Sequence, residues 1–144
     1  IMNTLLKLSE AGSIAIHALA MIAGNKNKKI SSAEIADFYG ISRNHLAKVM
    51  QQLVKVGFVK SDRGPSGGFT LAKDASKITL LDIYCEIEGG ISLNKCLLEE
   101  KFCFGSKCLL GNMLSKINRE LKNILETTKL SDIALNIEKR GTKK

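Results

Sequence analysis

The chain has no tryptophan, a single proline, and only two tyrosines and five phenylalanines among its 144 residues. With so few aromatics and an apolar share of 44%, the core must be aliphatic, as suits a helical protein. No run of eighteen apolar residues occurs, which excludes a membrane-spanning helix of ordinary length. The apolar patches near the N-terminus lack the basic flank and small-residue cleavage site of a signal peptide. Also missing are paired carboxylates, a nucleophile elbow, a phosphate-binding loop and a dinucleotide fingerprint, so nothing points to an enzyme. Acidic residues are scarce as well. Against 22 Lys and Arg stand 14 Asp and Glu, a net +8 that points to nucleic acid or another anionic surface. These absences describe a cytoplasmic chain, where thiols stay reduced and cysteine serves as a ligand more often than in a disulfide.

What the chain does have is concentrated between Ile41 and Lys73. Leu46, Val49, Met50 and Leu53 recur at helical spacing, with Ser42 as N-cap and Gly57 just past the end. The other face of this helix carries Arg43, Asn44, Lys48, Gln51 and Gln52, side chains that reach phosphates and base edges. Two runs with strand propensity follow, Phe58-Val59-Lys60-Ser61 and Gly68-Phe69-Thr70-Leu71, joined by Asp62, Arg63, Gly64, Pro65, Ser66 and Gly67. A helix leading into a basic, glycine-tipped hairpin is the sequence form of a winged helix, whose helix enters the major groove while the wing lies along the backbone or minor groove. The plain alternative is a small α/β hairpin with solvated cations. Charge decides against it, because residues 42–73 hold six Lys and Arg against Asp62 alone, +5 of the chain's +8.

The flanking segments complete a helix-turn-helix. Leu8, Ala11, Ala15, Leu19 and Ile22 predict a helix from Leu8 to Ala23, ended by Gly24-Asn25. Ser31 and Glu34 form a capping box ahead of a helix from about Ser32 to Tyr39, and Gly40 breaks it before Ser42. Beyond the wing, Thr79 and Asp82 cap a fourth helix with a stripe of Leu80, Ile83, Tyr84 and Ile87, closed by Gly89-Gly90. Residues 91–109 have no periodicity. From Leu110 to Thr127, the residues Leu110, Leu114, Ile117, Leu121 and Ile124 alternate in four- and three-residue steps, the pattern of a helix packed lengthwise on another. The earlier helices already supply a core, so this one is expected to form a homodimer interface. A short helix over 131–137 and a basic tail (Lys139, Arg140, Lys143, Lys144) are expected to finish the chain. The expected fold is mainly α with a small β-hairpin wing: a winged helix-turn-helix over 1–90, a cysteine-bearing loop over 91–109, and a dimerisation helix with tail over 110–144.

Cys85 falls among apolar neighbours in the fourth helix and reads as a small core residue. Cys96, Cys103 and Cys108 are spaced Cys-x6-Cys-x4-Cys in the aperiodic segment. Soft thiolates so placed suit an iron–sulfur cluster or zinc, and redox-active or incidental cysteines fit the spacing equally well.

Several motifs together resemble one family. They are Leu8-Ser9 with Ala15, Gly40-Ile41-Ser42, Leu46, Gly57-Phe58-Val59, Arg63-Gly64-Pro65-Ser66-Gly67-Gly68-Phe69, Leu71-Ala72-Lys73, and the three cysteines leading into Lys107-Cys108-Leu109. Over most of its length the chain resembles the Rrf-two transcriptional regulators, the IscR, NsrR and CymR type. That resemblance implies a homodimeric winged-helix DNA-binding protein with crossed long helices, acting on a pseudo-palindromic operator. Ser42, Arg43, Asn44, His45, Lys48, Arg63, Gly64 and Ser66 are the expected DNA-contacting residues. The resemblance also implies a 2Fe–2S or 4Fe–4S cluster on Cys96, Cys103 and Cys108 that senses cluster supply, nitric oxide or redox state. The chain departs from the family at the fourth ligand. One branch places His where Gly111 stands, and another an acidic residue where Ser13 stands, which leaves Glu10, Ser13 and His17 as nearby donors. An acidic residue that some members use for base discrimination corresponds to Ala47. A thiol- or zinc-based regulator without a cluster, and a winged helix used for protein–protein contact, are the alternatives.

Overall fold

The structure is a computed structural model that describes residues 8–91, 110 and 112–135. Helix α1 spans Glu10–Gly24, α2 Ser32–Tyr39, α3 Arg43–Lys55, α4 Leu80–Glu88 and α5 Met113–Thr127. Strands β1 (Val59–Asp62) and β2 (Gly68–Leu71) form an antiparallel hairpin, and short 3-10 turns cover Ala75–Lys77 and Leu130–Ile133. The fold is thus mainly helical with a two-stranded wing, as the hydrophobic patterning implies. No described helix is long and apolar enough to cross a membrane.

The core is aliphatic. Leu19 and Met21 of α1, Ile35 of α2, Leu46, Met50 and Leu53 of α3, and Ile83 of α4 are all fully buried in one cluster. Helix α1 runs through its centre, which is why ten of its fifteen residues are buried and its polar residues sit near the start. Ser9 begins it by accepting from the Gly12 N–H at 3.0 Å, so the helix starts two residues later than the apolar spacing alone suggests.

Helix starts follow their caps. The Ser31 Oγ accepts from the Glu34 N–H (3.2 Å) while the Glu34 carboxylate accepts from the Ser31 N–H (2.8 Å). Thr79 and Asp82 repeat the reciprocal pair at the start of α4. Gly40, at φ 65°, turns the chain between α2 and α3 in a left-handed conformation that a β-carbon would strain. The N–H of Ser31 holds the Glu34 carboxyl below its ordinary range. A folded-state value below the unfolded one means this contribution is present above the ordinary carboxylate range and is lost as pH falls through the lowered value. We expect Ser31→Ala to lower the unfolding free energy by about 1 kcal/mol in urea titrations. Glu34→Gln should reduce the loss of stability on the acid side.

Three further features differ from the sequence reading. The last long helix begins at Met113 rather than Leu110, because Asn112 adopts a left-handed conformation (φ 61°) that leaves Leu110 in a turn. The expected helix over 131–137 is instead the 3-10 turn Leu130–Ile133, with the residues from 136 onward outside the described region. Backbone pairing explains the change. The Leu130 N–H donates to the Ile78 carbonyl (2.8 Å), and the Leu135 N–H to the Ala20 carbonyl (2.9 Å), so this segment docks as a strap pinned on either side of the turn. A β-carbon at Gly24 would lie 2.2 Å from the Leu135 backbone, so only glycine lets the strap approach α1. The third concerns the long helix itself. Of its expected seam, Leu114 and Leu121 are partly buried, whereas Leu110, Ile117 and Ile124 are exposed together with Met113. Leu125, outside that seam, is the buried residue that packs α5 inward.

Candidate nucleic-acid interface

Helix α3 starts where the Ser42 Oγ accepts from the His45 N–H at 3.5 Å, and its buried face is Leu46, Val49, Met50 and Leu53. Helical geometry then sets Arg43, Asn44, Ala47, Lys48 and Gln51 outward, and all five are exposed. The wing leaves this helix directly, through the Phe58 N–H donating to the Leu53 carbonyl at 3.0 Å. Its register pairs Val59 with Leu71 and Asp62 with Gly68, which brings Arg63, Gly64, Pro65 and Ser66 to the exposed tip. The Gly67 N–H donates to the Gly64 carbonyl at 3.0 Å and closes the turn. Two exposed sets therefore rise from one rigid unit: Ser42, Arg43, Asn44 and Lys48 along the start of α3, and Arg63, Gly64 and Ser66 on the hairpin.

Local charges are arranged so that acidic groups are neutralised here. Asp62, the one acid between residues 42 and 73, lies 2.7 Å from the Lys29 ammonium. Arg43 is 3.6 Å from Asp37, but both side chains are 71% exposed, so the pair is weak and the guanidinium stays available to an anion. His45 turns aside from the outward set, with its Nδ1 3.4 Å from Glu10 of α1. Lys26, Lys28 and Lys73 lie elsewhere, around a cleft of about 300 Å³ at the C-terminal end of α1. Asp74 lines the same cleft, and Lys28 lies 3.8 Å from the Glu34 carboxylate.

Two features escaped sequence reasoning. Ile30 bridges Phe69 as a third, single-residue strand, with mutual N–H to carbonyl bonds of 3.1 and 2.8 Å, and it is this bridge that carries Lys29 to the wing. A lone apolar residue between Lys29 and the Ser31 cap was the available signal. Gln52 is the second. Read from sequence as part of the DNA-facing set, it instead donates from Nε2 to the Glu86 (3.1 Å) and Ile87 (3.2 Å) carbonyls at the end of α4.

The profile of the Rrf2 family, described as iron-dependent transcriptional regulators, matches residues 8–136. The chain belongs to the Rrf2 family. A HTH-type transcriptional regulator of Aquifex aeolicus is 33% identical over 135 residues, covering 92% of this chain and 93% of that protein. The regulator BadM of Rhodopseudomonas palustris is 32% identical over 124 residues, covering 85% of this chain and 75% of its own length. Among solved structures, CymR, the global cysteine regulator of B. subtilis, superposes with a TM-score of 0.72 at 29% identity, covering 90% of this chain and 97% of that one. T. potens IscR gives 0.68 at 28%, covering 90% and 86%. The fold is therefore that of an Rrf2 winged-helix regulator, a DNA-binding class, and its helix and wing are the elements described above.

The cysteines stand apart from this geometry. Cys96, Cys103, Cys108 and Gly111 lie outside the described residues. Cys85 is half-buried on α4, and among the described residues no cluster of three metal-ligating side chains occurs. Of the other donors, Glu10 is beside His45, and Ser13 is half-buried. The exposed His17 makes a 2.6 Å hydrogen bond between its Nδ1 and the Ser13 carbonyl, and packs edge-on against Tyr39.

Proposed function

We propose that this protein is a homodimeric, operator-binding transcriptional regulator whose DNA affinity responds to an iron–sulfur cluster on Cys96, Cys103 and Cys108. The observation that supports the DNA-binding half is the outward row of Arg43, Asn44 and Lys48 beside a basic wing in which Asp62 is neutralised by Lys29. Arg43, Asn44 and Lys48 contact base edges and phosphates, Ser42 the flanking backbone, and Arg63, Gly64 and Ser66 the minor groove, while His45 turns to Glu10 of α1 instead. The exposed apolar row of α5 supports the homodimer.

Three thiolates are the donor chemistry that an iron–sulfur cluster takes, and one oxygen or nitrogen donor from the start of α1 would complete it: Glu10, Ser13 or His17. His17 is exposed, and among the described residues its hydrogen bond is made through Nδ1, which leaves Nε2 as the candidate ligand atom. When bound, such a cluster supplies reversible one-electron chemistry and reactivity toward nitric oxide. A second reading, sensing by the thiols alone, is favoured by the near-equal likeness to CymR (29% identity) and to IscR (28%).

One experiment tests the function and separates these readings. Binding to duplex DNA should weaken linearly in log salt, because displaced counterions are part of the binding free energy. Anaerobically purified protein should contain iron and sulfide and be coloured. Replacing Cys96, Cys103 and Cys108 by Ala should abolish both, while Cys85→Ala keeps them. Protein without iron or sulfide whose DNA affinity still changes with thiol oxidation would establish the second reading. Affinity unaffected by salt would remove DNA binding.

A further inference from the structure

We infer that Gln52 is a positioning residue that sets the spacing between the two recognition helices of the dimer, and so the operator spacing the protein accepts, without touching DNA. The inference rests on the DNA-binding dimer proposed above and names how that site is regulated in space.

The observation is that α4 is fastened at both ends to different functional elements. At its start, the Leu80 N–H donates to the Thr128 carbonyl (3.0 Å), the Leu130 N–H donates to the Ile78 carbonyl (2.8 Å), and Thr79 bridges Lys129. Residues 128–130 follow α5 directly, so this end of α4 moves with the exposed apolar helix. At its other end, the Gln52 amide nitrogen donates to the successive carbonyls of Glu86 and Ile87. These are carbonyls of the last turn, which lack partners within the helix. Glu88 adds a second fastening, accepting from the hydroxyl of Ser9, which caps α1. Helix α4 is therefore a strut between α5 and α3.

Apolar packing holds the strut to α1, through the buried Ile83 and Tyr84 beside Gly12, but does not by itself set the angle of α3 against it. Leu46, Val49, Met50 and Leu53 bury α3 against the core, but such contacts are non-directional. Two hydrogen bonds from one amide to adjacent carbonyls are directional, and both donors of the Gln52 side chain are thereby committed to α4. Gln52 lies eight residues beyond Asn44, about 12 Å along the helix, so a small rotation at Gln52 displaces the reading end of α3. In a two-fold dimer that displacement occurs twice, in opposite directions, and changes the distance between half-sites.

The test begins with the wild-type protein selecting its preferred duplex from a random pool. Affinities are then measured for that duplex and for versions with one base pair inserted or removed at its centre. Wild type should lose on the order of tenfold on either change of spacing. Gln52→Met keeps the volume and removes both donors, and its penalty should fall to about twofold. Gln52→Lys restores a donor suited to a helix C-terminus and should recover the wild-type penalty. Two results overturn the inference. One is a wild-type spacing penalty in a folded Gln52→Met; the other is a Gln52→Met with a lowered melting temperature whose penalty Gln52→Lys does not restore. Failure of the wild type to select any duplex would remove the DNA-binding reading itself, an outcome distinct from either.

Discussion

If α5 forms the proposed dimer interface, replacing Ile117 by aspartate is expected to convert that dimer to a monomer without unfolding it. Ile117 is 43% exposed on α5, in a row with Leu110 (49%), Met113 (40%) and Ile124 (50%). Three large apolar side chains along one helix, with Leu110 in the turn before it, are more than scattered surface residues, and the neighbouring face, through Leu125, is already packed against the body of the protein. A charge at Ile117 therefore meets solvent in the monomer and an apolar partner in the dimer. Burying it unpaired costs several kcal/mol, and a two-fold interface contains it twice, so the dimer should weaken by at least about 4 kcal/mol, on the order of 1,000-fold or more. Sedimentation of both proteins at matched concentration measures this, and the circular dichroism of the variant should match the wild type. Operator affinity should fall with it, since each half-site would then bind alone. A monomeric wild type, or a dimer indifferent to Ile117→Asp, would assign the apolar row to some other partner.

That row also shows where sequence reading stopped. The starts of α2, α3 and α4 were legible because caps are local: Ser31 with Glu34, Ser42, and Thr79 with Asp82 each satisfy an N–H three residues on. The winged helix was legible because α3 and the hairpin are adjacent in sequence and differ in period. On α5 the apolar face is wide enough to serve two surfaces, and spacing cannot divide them. Leu114, Leu121 and Leu125 turn inward, while Met113, Ile117 and Ile124 remain outside. The strap over 128–135 left still less trace. Its backbone N–H groups at Leu130 and Leu135 pair with Ile78 and Ala20 whatever the side chains, and its inward apolar residues, Leu130 with Ile133, are too few to set a period. Gln52 was misplaced for a related reason. Polar residues flanking an apolar stripe look alike in sequence, and only the arrival of the α4 carbonyls distinguishes it from Gln51. Among the candidate DNA-binding residues, side-chain type and exposure were legible for Arg43, Asn44 and Lys48, but the turning of His45 toward Glu10 depends on a contact 35 positions away.

Arg63→Ala should weaken operator binding by about 1–3 kcal/mol, roughly 5- to 150-fold, and leave stability unchanged. Arg63 stands exposed at the end of β1, and Asp62 beside it is held by Lys29, so the nearest acid is neutralised by another cation. The turn beyond it begins with Gly64 at φ 111° and is closed by the bond from the Gly67 N–H to the Gly64 carbonyl, a short rigid tip rather than a long flexible arm. A cation so presented costs little backbone ordering on binding and is drawn to the enhanced negative potential of a narrow, A·T-rich minor groove. Sequence dependence distinguishes this from simple phosphate contact. If Arg63 enters the groove, the loss should be concentrated on duplexes with A·T pairs under the wing and shrink when G·C pairs replace them, since their added amino group and wider groove disfavour insertion. Lys48→Ala should provide the contrast if its ammonium meets phosphate: a similar loss on every sequence, with the salt slope reduced by about one. Equal affinities of Arg63→Ala and wild type across a full salt titration would take the wing out of recognition and leave α3 to read the operator alone.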